Sequence, residues 1–415
     1  MFNSFKNKET LKKRISLTNI NFVFALLMLF MFSLNQKIIP ILILFWTLSF
    51  IFQKHSSLFF KNILNNKLSI LLLVFFVLHV ISLIYTKDMK AGSFDIESKL
   101  SLLVFPIIFP NLKPIYTEKF KLLIHFFIAG CIISSLICLS HSLYLILELN
   151  APFQYITYSD LSLFLHPTYF ALYLSVGIAS IIHLLKTEQF LTKFKIAMYI
   201  LISVFFSMMI FLLSSKAGII VLFLLIGTII ITTIKFNRWS IAISLFFLIL
   251  LSSLLMQNER FSPLKNIVIE MFSQKKEIQK IESSSERIII WGISKNIISS
   301  NWLIGIGAGD VKDELLKEYK SIGFNAGEDK KLNAHNQFIE TFLSVGIVGI
   351  ILLIYLIFNL FITGKKQKNF LLMSFAIIFM INFLFESILN TQAGIVFFTF
   401  SICLFSKYSE NEQLI

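Results

Sequence analysis

Long apolar runs separated by short polar segments dominate this chain. They fall at about 19–34, 38–52, 68–86, 98–112, 119–146, 167–185, 196–213, 219–234, 240–255, 337–362, 370–387 and 391–406. A straight helical span needs about 20 residues, so the second and fourth runs are short and their ends are soft. The pattern predicts an all-α, polytopic integral membrane protein with about twelve transmembrane helices and one large loop containing short helices. It divides the chain into about nine spans (1–256), the loop (257–336), and about three spans with a short tail (337–415). Inside the loop, Ser283–Ser285 can cap a helix on which Arg287, Trp291 and Lys295 recur along one face. Ile288, Ile289, Ile293 and Ile297 crowd its other faces, so this helix is expected to rest on the membrane or on the spans. The following NWLIGIGAGD reads as a flexible turn. Its glycine spacing resembles a phosphate-binding loop but lacks the lysine-serine pair and βαβ context. A second, highly charged helix begins near Asp310.

Composition agrees: 56% hydrophobic residues, only 14% charged, and 47 Phe exclude a soluble globular domain. Cys131, Cys138 and Cys403 lie inside apolar runs and offer neither a disulfide framework nor metal-ligand spacing. The basic start resembles a signal peptide without a small-residue cleavage site, and reads as a retained first transmembrane helix. The net charge of +14 does not mark a nucleic-acid binder. Alternate polar segments carry 20 Lys and Arg, the intervening short ones 5, and the long loop 12 that acids nearly cancel. That alternation is the positive-inside rule, with both termini cytoplasmic and the loop on the other face.

Candidate chemistry gathers on the loop's side. In AHNQFIETFLSVGIVG, His335 and Asn336 stand where water meets bilayer, and Gly346 and Gly349 lie deeper, where a neighbouring helix could approach. The plainer reading is an interfacial histidine above a small-residue packing face. Lys216 occupies a tight turn among small residues and is costly there unless something anionic balances it. His166 precedes Pro167, with Tyr169 one turn on, and reads as a capping histidine in an aromatic belt or as a second wall of an external cavity. Lys99 opens a run broken by Pro106 and Pro110, and reads as a snorkelling lysine or a ligand. Glu386 is an intramembrane carboxylate with Lys216 or Arg287 as partner, or a residue that reaches the interface. Several cations with one imidazole suit a phosphate-bearing, lipid-anchored substrate. Arg287, Lys216 and Lys99 would hold a pyrophosphate leaving group, His335 would take a proton from an attacking hydroxyl, and Asn336 would orient the ring or the sugar. The scattered aspartates suggest no metal site, and no cofactor motif is present.

Taken together, the span count, the Ser-Lys-Ala-Gly turn, and the loop with Arg287, Trp291 and NWLIGIGAGD resemble a known family when joined to the closing His335-Asn336-Gln337 and Gly346/Gly349. It is the O-antigen ligase and O-antigen polymerase superfamily of bacterial envelope glycosyltransferases. The resemblance covers roughly residues 200–400; the amino-terminal half shares only topology. The family more often has arginine after the serine, where this chain has Lys216, which keeps the charge but loses the bidentate fork. The resemblance implies metal-independent, inverting transfer of a glycan from undecaprenyl pyrophosphate, without a cofactor, on the periplasmic face of the bacterial inner membrane. The acceptor is lipid A–core in ligases, another lipid-linked repeat unit in polymerases, and protein serine or threonine in some relatives. A lipid-linked oligosaccharide flippase or transporter would share the cationic cavity. It would instead show paired inverted halves with interrupted helices.

Overall fold

A computed structural model describes residues 16–188, 190–233 and 283–412. The expected run at 240–255, the start of the loop and the basic residues before Ser16 lie outside these described residues. Within them all regular structure is helical. Four helices are long and apolar enough to cross a bilayer: Phe120–Glu148, Pro167–Thr187, Lys193–Leu212 and Gln337–Lys366. Phe59–Asn65 and Lys67–Ser82, bent by 86°, make a fifth if they form one broken span. Shorter apolar helices at Leu17–Met31, Ile39–Ile51, Lys216–Gly227, Phe370–Phe385 and Gln392–Tyr408 complete the bundle. This is the architecture of a helical membrane protein.

Burial separates core helices from lipid-facing ones. Pro167–Thr187 is buried along nearly its whole length, whereas Lys193–Leu212 presents Ile200, Leu201 and Val204 outward. Exposed aliphatic side chains of that kind are at ease in lipid, where they have no reason to hide from their surroundings. The run with Pro106 and Pro110 stays helical through Pro106 and breaks only at Pro110. It forms the helix Ser101–Ile108 and then a 3-10 turn at Phe109–Asn111, because proline lacks the backbone donor that would continue the helix.

The loop folds into helices Ser283–Asn301, Val311–Ser321 and Asn325–Asp329. Ile290, Ile293, Leu315 and Tyr319 make a second apolar cluster that includes Ala334 and Leu343. Leu343 belongs to the Gln337–Lys366 helix, so this cluster seats the loop on a span. Ile288 points outward.

Two expectations about glycines are corrected. The Trp302–Asp310 segment is pinned, not flexible: Ile306 N–H donates to Leu343 O at 2.7 Å, and Ile347 N–H donates to Trp302 O at 2.9 Å. Gly346 is not a helix-packing glycine. It has φ +70° and breaks its own helix, and a Cβ there would stand 2.3 Å from Leu303 O. The neighbour it admits is the loop. Close helix approach falls instead at Gly130, where a Cβ would stand 2.1 Å from Phe30 O.

Candidate functional site

Four helices begin around one cavity of about 320 Å³. They are Pro167–Thr187, Lys216–Thr233, Ser283–Asn301 and Gln337–Lys366. His166 and His335, just before two of these starts, Lys216 at the third and Arg287, one turn into the fourth helix, line it. Each helix start carries the positive end of its dipole, which favours an anion nearby, although side chains cap N–H groups at three of the four. Lys216 and Arg287 add full positive charges. Ser215 Oγ accepts from Gly218 N–H at 3.2 Å and fixes the start of the Lys216 helix. His166 caps its own helix, Nδ1 accepting from Thr168 N–H at 3.4 Å, with Pro167 pre-set for the first helical position.

His335 is the most heavily supported of these residues. Its backbone has φ +45°, a left-handed conformation that costs a non-glycine residue about 1 kcal/mol or more. The Asn333 side chain steadies it by accepting from His335 N–H at 2.9 Å. The preceding Ala334 is fixed at both polar groups: Trp291 Nε1–H donates to its carbonyl at 3.0 Å, and its N–H donates to Glu340 Oε2 at 3.3 Å. Tyr158 and Ser214, two other cavity residues, also have positive φ.

The His335 ring meets Glu386. Nδ1 lies 3.2 Å from both carboxylate oxygens. Burial alone would push the Glu386 carboxyl up. The hydrogen bond from His335 and the charges of His335, His166 and Arg287 outweigh it and hold the carboxyl below its ordinary value. An ionised carboxylate only accepts, so Nδ1 carries the donated proton, and in the neutral imidazole Nε2 is the nitrogen with the lone pair. Glu386 lies in the break between Phe370–Phe385 and Gln392–Glu412, and the first turn of the Gln337–Lys366 helix grips that break. Asn336 Nδ2 donates to Leu384 O at 3.3 Å, Gln337 Oε1 accepts from Leu389 N–H at 2.6 Å, and Glu340 Oε1 accepts from Asn390 Nδ2 at 2.7 Å.

The expected site residues therefore divide. His335, Arg287, Lys216, His166 and Glu386 line the cavity. Glu386 pairs with His335 by hydrogen bond, and the charge of Arg287, one of its two expected partners, also acts on it. Asn336 is spent as a helix cap, its Oδ1 accepting from Phe338 and Ile339 N–H, and it does not line the cavity. Lys99 is placed elsewhere: it is buried and paired with Asp95 one turn earlier. The cavity also contains residues that sequence reasoning missed, among them Tyr158, Thr168 and the ion pair of Lys330 with Glu286 at 2.8 Å. Among the described residues no group of three or more His, Cys, Asp or Glu is placed to hold a metal ion.

The fold and this cavity define a helical membrane protein with a cavity of charged side chains where its loop meets the spans. Residues 201–354 match the family model described as O-antigen ligase, which bears out the resemblance to the O-antigen ligase and polymerase superfamily over that segment. The matched stretch contains Lys216, Arg287, His335 and Gly346, while His166 and Glu386 lie outside it. No curated protein matches the chain.

Proposed function

We propose that the protein is an O-antigen ligase-like glycosyltransferase that moves a glycan from undecaprenyl pyrophosphate to lipid A–core. The observation that carries this reading is the convergence of four helix starts, Lys216, Arg287 and the His335–Glu386 pair on one cavity. The helix starts and the two cations hold the pyrophosphate and take up the charge that grows on it as the glycosidic bond breaks. Nε2 of His335 accepts the proton of the attacking hydroxyl, and Glu386 holds the ring and stabilises the imidazolium that forms. The attack inverts the anomeric carbon, and no metal or cofactor takes part. About twelve spans, with both termini cytoplasmic and the cavity facing the periplasm of the inner membrane, fit the alternation of basic segments.

Deleting the gene and running lipopolysaccharide on a gel tests the acceptor. Loss of all long glycan on core is the result expected of a ligase. Core carrying a single repeat would instead identify a polymerase that joins lipid-linked units.

A further inference from the structure

We propose that Trp302, Leu303 and Ile304 form an edge of the loop that inserts into the lipid layer on the cavity's side of the membrane. Its partner is the bilayer itself, independently of any transfer reaction. The three side chains are 55%, 54% and 54% exposed, consecutive and large. Exposed apolar patches of this kind mark a contact with protein or membrane.

What surrounds the edge decides between these. The Gln337–Lys366 helix has no exposed residue from Gln337 to Ile347. Its outward stripe starts at Val348 and continues through Ile351, Ile354 and Phe358. The loop edge takes over the outward apolar surface where the helix is covered. On the other flank, Tyr85 donates to Ile304 O at 2.6 Å. Beside it Ile84 is exposed, and Val77 and Ile81 carry the lipid-facing stripe of the Lys67–Ser82 helix. The edge thus continues two stripes that already face lipid.

The backbone behind the edge is paired inward. Gly305 N–H donates to Asn301 O at 2.9 Å, Trp302 O accepts from Ile347 N–H, and Ile304 O accepts from Tyr85. Irregular chain tolerates contact with lipid only when its polar groups are satisfied in this way. The height also fits. Counting up from Lys365, a hydrocarbon layer of about 30 Å at about 1.5 Å per residue ends near Val345 and Gly346, where the edge is fastened. A tryptophan at that level belongs to the aromatic belt.

The test uses a nitroxide spin label on Leu303→Cys and, in a second variant, on Ile304→Cys. The full-length protein is placed in nanodiscs of phosphatidylethanolamine and phosphatidylglycerol. Cys131, Cys138 and Cys403 are buried, which leaves the introduced thiol as the reactive one. Lys317→Cys is the aqueous control, its side chain being 72% exposed. Collisions with oxygen report lipid, and collisions with a water-soluble nickel chelate report water. Labels at 303 and 304 should shift toward oxygen relative to the label at 317. Nickel accessibility at 303 or 304 equal to that at 317 would overturn the proposal. Inaccessibility to both reagents would mean that protein covers the edge, and would overturn it equally.

Discussion

Two pairs of ionisable side chains stand near helix ends, and they are built differently. Lys99 and Asp95 lie one turn apart on the same stretch of chain, with side chains 3% and 17% exposed. His335 and Glu386 come from segments 51 positions apart. The local pair is closed on its own stretch of chain. The long-range pair must be held by the rest of the molecule, and Trp291, Asn336, Gln337 and Glu340 each hold one of its two segments. The proposed function gives the work to the pair that the fold supports from several directions and leaves open to a cavity, and a structural role to the pair closed on its neighbour.

That contrast can be broken by substitution. Arg287→Ala removes a full charge from the cavity and should lower transfer by about 10²–10³-fold, with normal membrane insertion. Normal glycan transfer at native expression would remove Arg287 from the site. Glu386→Gln keeps the shape but loses the acceptor for Nδ1–H. Turnover should fall well below wild type, because the ring loses the partner that fixes its tautomer and stabilises the imidazolium. The same variant has a pH signature. The Glu386 carboxyl titrates below its ordinary value, so its ionisation stabilises the fold fully above that ordinary value. This contribution is lost as pH falls through the lowered value, and Glu386→Gln should flatten the acid side of a thermal stability profile. Lys99→Met should behave in the opposite manner. Breaking a buried pair costs about 3–5 kcal/mol, so the melting midpoint should drop while turnover per folded molecule stays within about twofold. Lost turnover without lost stability would return Lys99 to the site. The smallest effect belongs to Lys216→Arg, which should retain activity or raise it, because a guanidinium can bind two phosphate oxygens at once.

Much of this was legible in the sequence, for physical reasons that differ by residue. Apolar runs bound helices because the bilayer demands paired backbones, and the described helices fall within a few residues of the runs. His335, Lys216, His166 and Glu386 stood out as polar groups at or near span ends, and Arg287 as a cation on one face of a loop helix. Lys99 carried the same mark. What separated it was also written in the chain, as Asp95 four positions earlier, the spacing of a helical ion pair. The pairing of Glu286 with Lys330 and the grip of Gln337 and Glu340 on residues 387–390 depend on tertiary approach, which no local pattern encodes. Gly346 was misread because its spacing from neighbouring small residues matches a helix-packing face. Its positive φ and the loop it admits are properties of the folded chain.

The most direct measurement is in vitro transfer by purified His335→Ala, with a lipid-pyrophosphate glycan as donor and EDTA present. General base assistance is worth roughly 10²–10⁴-fold, so turnover should fall by that much while membrane level and donor binding stay near wild type. Turnover at the wild-type rate would show that His335 is an interface residue and that the His335–Glu386 pair does not perform the reaction.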